Sequence, residues 1–245
     1  MSNKLILTWR EPNTREWIPV GRLSQDDKTR YIFQYLNGAK KSSNFIPFGQ
    51  MQELGKTYIS DDIFPLFKNR LLQKSRPEYG SYLDWLGLDS TMSMFDELSR
   101  TNGVRATDSL QLFEIPEVNE DYEIKFFSHG ISHLPNSYIK RVESLASKDE
   151  LFIMKDIQNK IDELALVIRT SEPIEIVGYC PRFYTEDINK LIELNGPENI
   201  SLTVEKINKE APLQFRMLCS LKTKWHKDFN PFDGNDFKTI SEETK

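Results

Sequence analysis

The stretch Tyr179-Cys180-Pro181-Arg182-Phe183-Tyr184 joins an apolar segment at residues 174–177, typical of a strand, to a helical pattern that begins at Thr185. This helix is predicted to extend through Leu194 and to end at Asn195-Gly196-Pro197, because glycine and proline stop helices. The junction places three aromatic rings and one cation at the beginning of a helix. Aromatic faces can stack on exposed bases and an arginine can bind a phosphate, and the alternative is that some of these rings pack in the core.

Short strands surround this junction throughout the second half of the chain. One helical pattern covers residues 136–145, and apolar runs with strand character occupy residues 124–128, 151–154, 164–168, 201–204 and 215–221. Many short strands with one or two helices are typical of a small open barrel. An acidic segment with one proline, residues 114–121, separates this half from the first, so we expect two domains, at residues 1–115 and 122–240.

The first half combines strands with helices. Alternation and apolar runs predict three strands, at residues 5–9, 17–23 and 31–35. Helical spacing predicts three helices, over residues 63–72, 79–86 and 94–98. The predicted fold class is therefore α+β, with a small antiparallel N-terminal sheet and helices followed by a small barrel with one or two helices.

Composition limits the possible partners and locations. The chain has 245 residues, a net charge of −5 and a hydrophobic fraction of 38%, which indicates a folded protein. Residues 1–120 contain 15 basic and 16 acidic side chains, and residues 121–245 contain 17 and 21. Neither half is a polycation, which argues against strong non-specific duplex binding. No apolar run approaches the roughly 20 residues of a membrane helix and no signal-peptide pattern occurs, so we expect a cytoplasmic protein without a membrane partner.

The spacing of reactive residues gives no support for catalysis or for a cofactor. No Gly-x-Ser-x-Gly nucleophile elbow occurs, and no histidine forms a locally spaced pair with a carboxylate. His129 and His133 are four residues apart, but Cys180 and Cys219 are isolated and lack the close pairing of structural zinc sites. We therefore expect a non-enzymatic protein with no metal and no cofactor.

The sequence leaves the role of two cationic clusters undecided. Arg100 and Arg105 flank a glycine turn that suits a phosphate or a partner's carboxylate, unless Asp108 pairs with Arg105 in a solvated loop. Nucleic-acid binding and a structural role are both compatible with the lysines gathered near Trp225, which are Lys222, Lys224 and Lys227.

Residues 122–240 resemble a HIRAN domain, a module found at the N-terminus of fork-remodelling helicases and also in bacteria. The resemblance rests on four segments in the family's order and spacing, at residues 129–135, 156–166, 177–182 and 208–219. It implies an OB-like β-barrel that binds single-stranded DNA, in the eukaryotic helicase member at a 3′-hydroxyl end. The implied function is non-enzymatic recognition of single-stranded DNA or DNA 3′ ends, in a bacterial defence, repair or toxin–antitoxin context.

The resemblance also assigns candidate DNA-binding residues. The family's acidic residue that meets the terminal hydroxyl corresponds to Asp162, a basic residue corresponds to Arg182, and a ring corresponds to Tyr179. Ser132-His133 stands where the family has an arginine and an aromatic residue, and Ile161 stands where it has an aromatic residue before the acid. Each lost stacking contact is expected to weaken binding by about 1–3 kcal/mol.

The first half resembles, more loosely, the N-terminal subdomain of HipA-type toxin kinases. The resemblance rests on three segments, at residues 20–24, 31–35 and 63–71. It implies a small β-sheet with helices, and free-standing copies of this subdomain can neutralise a separate kinase. The sequence contains neither a His-Arg-Asp-like catalytic loop nor an Asp-Phe-Gly motif. The alternative function is therefore a regulatory, antitoxin-like module that binds a protein partner through its N-terminal domain and does not bind DNA.

Overall fold

The computed structural model describes residues 4–160 and 162–241 and divides them into two compact units. Among the described residues, the first unit contains residues 4–79, 91–115 and 230–241, and the second contains residues 80–90, 116–160 and 162–229. Compared with the domains expected at 1–115 and 122–240, the segments 80–90 and 230–240 lie in the opposite unit.

The first unit is built on an antiparallel sheet of five strands in the order β4-β3-β2-β1-β5. Its strands are β1 (Lys4–Arg10), β2 (Trp17–Gln25), β3 (Tyr31–Tyr35), β4 (Tyr58–Ser60) and β5 (Leu110–Glu114). The first three are strands that alternation and apolar runs predict. The sequence patterns did not predict β4 and β5, which occupy the two edges of the sheet.

The helices of this unit pack on the sheet and enclose an aromatic-rich core. They are α1 (Pro65–Lys68) and α3 (Met94–Thr101). Of the helix α2 (Tyr79–Leu86), only the first residue belongs to this unit. A capping box between Ser93 and Asp96 begins α3, as this pair of residue types favours. The helix predicted over residues 63–72 is wrong in length, because only α1 is helical. The apolar spacing there serves burial of Ile63 and Phe67 rather than a continuous helix.

The second unit contains a six-stranded antiparallel sheet in the order β6-β11-β10-β7-β8-β9. Its strands are β6 (Asp121–Phe127), β7 (Glu150–Lys155), β8 (Leu166–Arg169), β9 (Ile176–Tyr179), β10 (Ser201–Ile207) and β11 (Met217–Lys224). Two helices accompany the sheet, α4 (Asn136–Ser144) and α5 (Thr185–Asn195), and α5 ends at Gly196 as predicted.

The six-stranded sheet curls until its last strand meets the chain that leaves its first strand. His129, two residues after β6, exchanges two backbone hydrogen bonds of 2.9 Å with Tyr179 at the end of β9. We call this contact the seam. The structure is thus a small antiparallel sheet with helices followed by a curled, barrel-like sheet with two helices, which confirms the predicted α+β class.

Specific contacts explain why two segments belong to the opposite unit. In the second unit, Leu86 of α2 is fully buried in a cluster with Phe127 and Leu218. In the first unit, the segment after residue 230 bonds to β3, where the backbone N–H of Ile240 donates to the carbonyl of Tyr35 over 2.9 Å. Burial and backbone pairing therefore override the position of these segments along the chain.

Candidate nucleic-acid interface

The predicted site residues that the structure describes lie on three connecting segments and at one strand end of the second unit. Asp162 is in the loop between β7 and β8, and Arg182 begins the 3₁₀ turn between β9 and α5. Tyr179 is the last residue of β9. Ser132 and His133 are exposed on the 3₁₀ turn Ile131–His133, which follows β6. Ile161 lies outside the described residues.

Two glycines allow the backbone to meet at the seam. Gly178 has φ of +135°, a conformation that side chains disfavour, and a Cβ there would lie 1.8 Å from Ser128 Oγ. The Ser128 hydroxyl itself donates to the carbonyl of Val177 over 3.0 Å. A Cβ at Gly130 would lie 3.2 Å from the ring of Tyr179. The ring therefore lies against the residue that begins the turn carrying Ser132-His133.

The ring of Tyr179 is also held from the opposite side. Its hydroxyl donates to Asp156 Oδ2 over 3.3 Å, and the side-chain amide of Asn159 donates to the same oxygen over 3.1 Å. Partial burial, followed by the charge of Asp156, raises the pKa of Tyr179, so its phenol is protonated at neutral pH. Sequence reasoning did not identify Asp156 and Asn159 as site residues. Their Asp-x-x-Asn spacing is a turn signal that could have indicated them.

Asp162 is fixed by its own loop and faces Arg182. Its Oδ1 accepts a hydrogen bond of 3.1 Å from the backbone N–H of Leu164, and its backbone N–H donates to Asn159 Oδ1 over 3.0 Å. Its Oδ2 lies 3.5 Å from Arg182 Nε. The carboxylate is 15% exposed and the arginine side chain 43% exposed. Because the arginine of this pair is exposed, we take the ion pair to contribute only about 0–1 kcal/mol.

These contacts bring together three of the predicted residues. Asp162 pairs with Arg182, and Tyr179 is joined to the same β7–β8 loop through Asp156. Tyr179 also lies against Gly130, next to the turn that carries the exposed Ser132-His133. We call Asp162, Tyr179, Arg182 and the turn Ile131–His133 the seam site.

Two of the other rings at this junction pack into the fold. Tyr184 is buried, and the Thr185 hydroxyl donates to the carbonyl of Arg182 over 2.7 Å, which links the 3₁₀ turn to α5. Phe183 is half-buried. The alternative of core packing therefore holds for Tyr184, while Tyr179 and Arg182 are accessible to a ligand.

Ion pairs involve parts of the two cationic clusters whose role the sequence left open. Asp108 pairs with the buried guanidinium of Arg70 at 2.6 Å, and not with Arg105 as the solvated-loop interpretation supposed. Lys222 and Lys224 both lie 2.9 Å from Asp121. The ring of Trp225 packs against two buried aromatic rings, those of Tyr122 and Phe229.

Three further features of the described residues concern metal binding, the two thiols and membrane spanning. No group of three or more His, Cys, Asp and Glu side chains among residues 4–160 and 162–241 is placed to hold a metal ion. Cys180 and Cys219 are buried thiols, and burial raises the pKa of Cys180 to about 12. In the same part of the chain, no helix has the length and apolar character needed to cross a membrane.

Comparison with known proteins gave structural matches only. No family model and no curated protein matches the chain. A crystal structure of a protein from Lactobacillus plantarum matches with 14% identity and a TM-score of 0.32, over 43% of this chain and 99% of that one. The HIRAN domain of human HLTF matches with 11% identity and a TM-score of 0.31, over 41% of this chain and 74% of that domain.

Proposed function

We propose that the protein is a non-enzymatic DNA-binding protein whose second unit recognises single-stranded DNA, or a DNA 3′ end, at the seam site. The observation that carries the proposal is the pairing of Asp162 with the exposed Arg182 at 3.5 Å, in the same loop whose Asp156 accepts the hydrogen bond of the Tyr179 hydroxyl. A cation can bind the phosphate of a nucleotide, a carboxylate can accept from its hydroxyl and an aromatic face can stack on its base.

Each group has a separate role in this proposal. Arg182 moves from Asp162 to a phosphate oxygen, where a charge-assisted hydrogen bond is stronger than an exposed ion pair. Asp162 accepts a hydrogen bond from the terminal hydroxyl and repels a terminal phosphate. The accessible face of Tyr179 and the exposed ring of His133 supply stacking surfaces that tolerate any base.

The proposed binding is weak and depends modestly on salt. Ser132 replaces an arginine of the resembled family, and a single phosphate contact gives a salt slope of only about −0.7 for single strands. The net charge of −5 adds no general attraction for a polyanion. Affinity therefore depends on the few groups of the seam site, which makes each of them testable by substitution.

The experiment is fluorescence anisotropy with a short 5′-labelled single strand that ends in a 3′-hydroxyl or a 3′-phosphate, at low and moderate salt. We expect the hydroxyl end to bind more tightly. Arg182→Ala should weaken binding and reduce the salt slope by about 0.7. Asp162→Asn should remove the preference for the hydroxyl end, because the repulsive charge is lost.

Lys209→Ala is the matched control, since Lys209 is an exposed cation of the same unit outside the seam site and outside both cationic clusters. It should leave affinity, salt slope and end preference unchanged. If Arg182→Ala binds as tightly as the parent protein, or if the parent binds neither strand at low salt, the proposal is wrong.

A further inference from the structure

Strand β7 is paired along one side but only at its beginning on the other. Its residues Phe152 to Lys155 all pair with β8. On the opposite side, its ladder with β10 contains two residue pairs, Leu151 with Leu202 and Glu150 with Thr203. Residues 152–155 therefore form an open strand edge, which we call the β7 edge.

The direction of the backbone groups identifies what this edge offers. The N–H of Asp156 donates to the carbonyl of Ala165 on the β8 side over 2.9 Å. Because successive backbone groups of a strand point to alternate sides, the N–H and C=O of Ile153 and Lys155 point away from β8. Unpaired strand groups of this kind are a template for another extended chain.

A groove of about 390 Å³ runs beside the β7 edge. Phe152 and Ile153 both line it, although their side chains project from opposite faces of the strand, so the edge itself borders the groove. The facing wall is mainly apolar and consists of Ile192, Pro197, Ile200 and Leu202. An extended chain laid along the edge would therefore find backbone partners on one side and apolar contacts on the other.

Charges in the groove indicate the chemistry of its occupant. Lys155 lies at the end of the β7 edge and forms no ion pair with any described residue. A second cation, Arg169 of β8, lines the groove together with two carboxylates, Glu150 at the beginning of β7 and Glu198 on the facing side. Two cations and two carboxylates give the groove no net attraction for the uniformly charged backbone of a nucleic acid. A peptide can place an acidic residue near Lys155 and a basic residue near Glu150.

We propose that the β7 edge binds an extended peptide segment of a protein partner as an added antiparallel strand. The strand runs acidic–x–apolar–basic: the acidic residue lies opposite Lys155, the apolar residue opposite Ile153, and the basic residue opposite Phe152, on the strand face that Glu150 shares. Strand addition of this kind takes affinity from main-chain hydrogen bonds and specificity from alternate side chains. The edge of four residues is about 13 Å long at the strand rise of about 3.3 Å per residue.

The test uses two acetylated and amidated peptides of equal composition, Asp-Thr-Val-Lys and its reverse Lys-Val-Thr-Asp. In the free protein, the amide protons of Ile153 and Lys155 should exchange with solvent faster than those of Phe152 and Met154. Titration followed by NMR should protect the first two amides with the Asp-first peptide. The reverse peptide should bind at least about tenfold more weakly, a free-energy difference of about 1.4 kcal/mol.

Two variants separate main-chain pairing from charge. Ile153→Pro removes one open-side donor and should abolish peptide binding while the protein remains folded, because edge strands accept proline where the N–H is unpaired. Lys155→Glu keeps the donor and should reverse the preference, so that the Lys-first peptide binds more tightly. Arg182→Ala, at the seam site, should not change either result.

Four outcomes would overturn the proposal. One is the absence of amide shifts with either peptide at several millimolar. A second is equal binding of the two peptides in both the parent protein and Lys155→Glu. A third is protection of Ile153 and Lys155 by a deoxythymidine oligonucleotide, which would assign the groove to nucleic acid. The fourth is protection that grows with protein concentration in the absence of peptide, which would assign the edge to a second copy of this chain.

Discussion

Substitution of Gly178 by alanine tests whether the seam positions the candidate site. Gly178 lies one residue before Tyr179 and has φ of +135°. A Cβ there would lie 1.8 Å from Ser128 Oγ and 2.8 Å from the carbonyl oxygen of His129, distances that real side chains do not adopt. Rotation of Ser128 relieves only the first contact, because the second is with the backbone.

The magnitude follows from what must be distorted. The unfavourable backbone conformation costs about 1–3 kcal/mol for a residue with a side chain. The shift that relieves the backbone contact breaks the two 2.9 Å hydrogen bonds between His129 and Tyr179. Each such bond contributes about 1 kcal/mol. We therefore expect Gly178→Ala to lower the free energy of unfolding of the second unit by about 4 kcal/mol, a large part of the about 5–15 kcal/mol typical of a domain.

The measurement combines urea unfolding with amide hydrogen exchange, because the chain has two units and a single transition is not expected to report on both. Protection of the amides of His129 and Tyr179 should fall in Gly178→Ala. Gly80→Ala is the matched control in the same unit. Gly80 lies in α2 with open space around a Cβ, so this change should be neutral or stabilising by up to about 1 kcal/mol.

The reasoning is refuted if Gly178→Ala unfolds within about 1 kcal/mol of the parent protein and keeps the Tyr179 amide protected. That result would mean that the strand end tolerates a side chain without opening the seam. A loss of stability with intact DNA binding would separate the two claims, because the seam would then stabilise the fold without positioning the site.

Three other changes have expected outcomes. Asp108→Ala leaves the buried guanidinium of Arg70 without its charge partner and should destabilise the first unit by about 3 kcal/mol. Arg105→Ala, at an exposed side chain, should destabilise it by less than about 0.5 kcal/mol, and equal urea midpoints for the two variants would refute the importance of the Arg70–Asp108 pair. Because the thiols of Cys180 and Cys219 are buried with raised pKa values, both should react with an aromatic disulfide reagent at pH 8 only after denaturation, and rapid labelling of the native protein would contradict this. Desolvation lowers the pKa of His129 to about 4 in the folded protein, whereas the ordinary pKa of 6.5 applies in the unfolded chain. As the pH drops from 6.5 to 4 the unfolded chain therefore binds more protons than the folded protein, and the free energy of unfolding should fall by up to about 3 kcal/mol from this group. In pH-dependent unfolding, His129→Gln should show a shallower fall.

Local sequence patterns predicted the elements whose stability is itself local. Alternation predicted β3, and the change from an apolar run to a helical pattern predicted the order of β9 and α5. Strand β5 was missed because its partner is distant along the chain: Leu112 pairs with Leu7 of β1. The segment also adjoins the acidic stretch 114–121, which indicated a domain boundary. Over so few residues, an edge strand that pairs with the N-terminal strand β1 has the same sequence pattern as the beginning of a linker.

The same distinction separates the parts of the candidate site. The resemblance could nominate Asp162, Tyr179 and Arg182, but it could not show that Asp156 holds the tyrosine hydroxyl. That contact joins the β7–β8 loop to the end of β9 across 23 positions of sequence. It depends on the curl of the sheet, which in turn depends on a positive φ at Gly178. Positioning residues of this kind are set by tertiary structure and leave only a turn signal in the sequence.

Total charge was the weakest guide to the site, because pairing decides which cations remain accessible. The lysines that looked most like a basic patch, Lys222 and Lys224, share Asp121 at 2.9 Å. Arg216 is likewise held by Glu143. Arg182 differs from them in the length of its ion pair, which is 3.5 Å, so less free energy opposes its transfer to a phosphate. The proposed function therefore requires no basic patch, because it assigns one phosphate of the strand end to one weakly held arginine of an otherwise acidic protein.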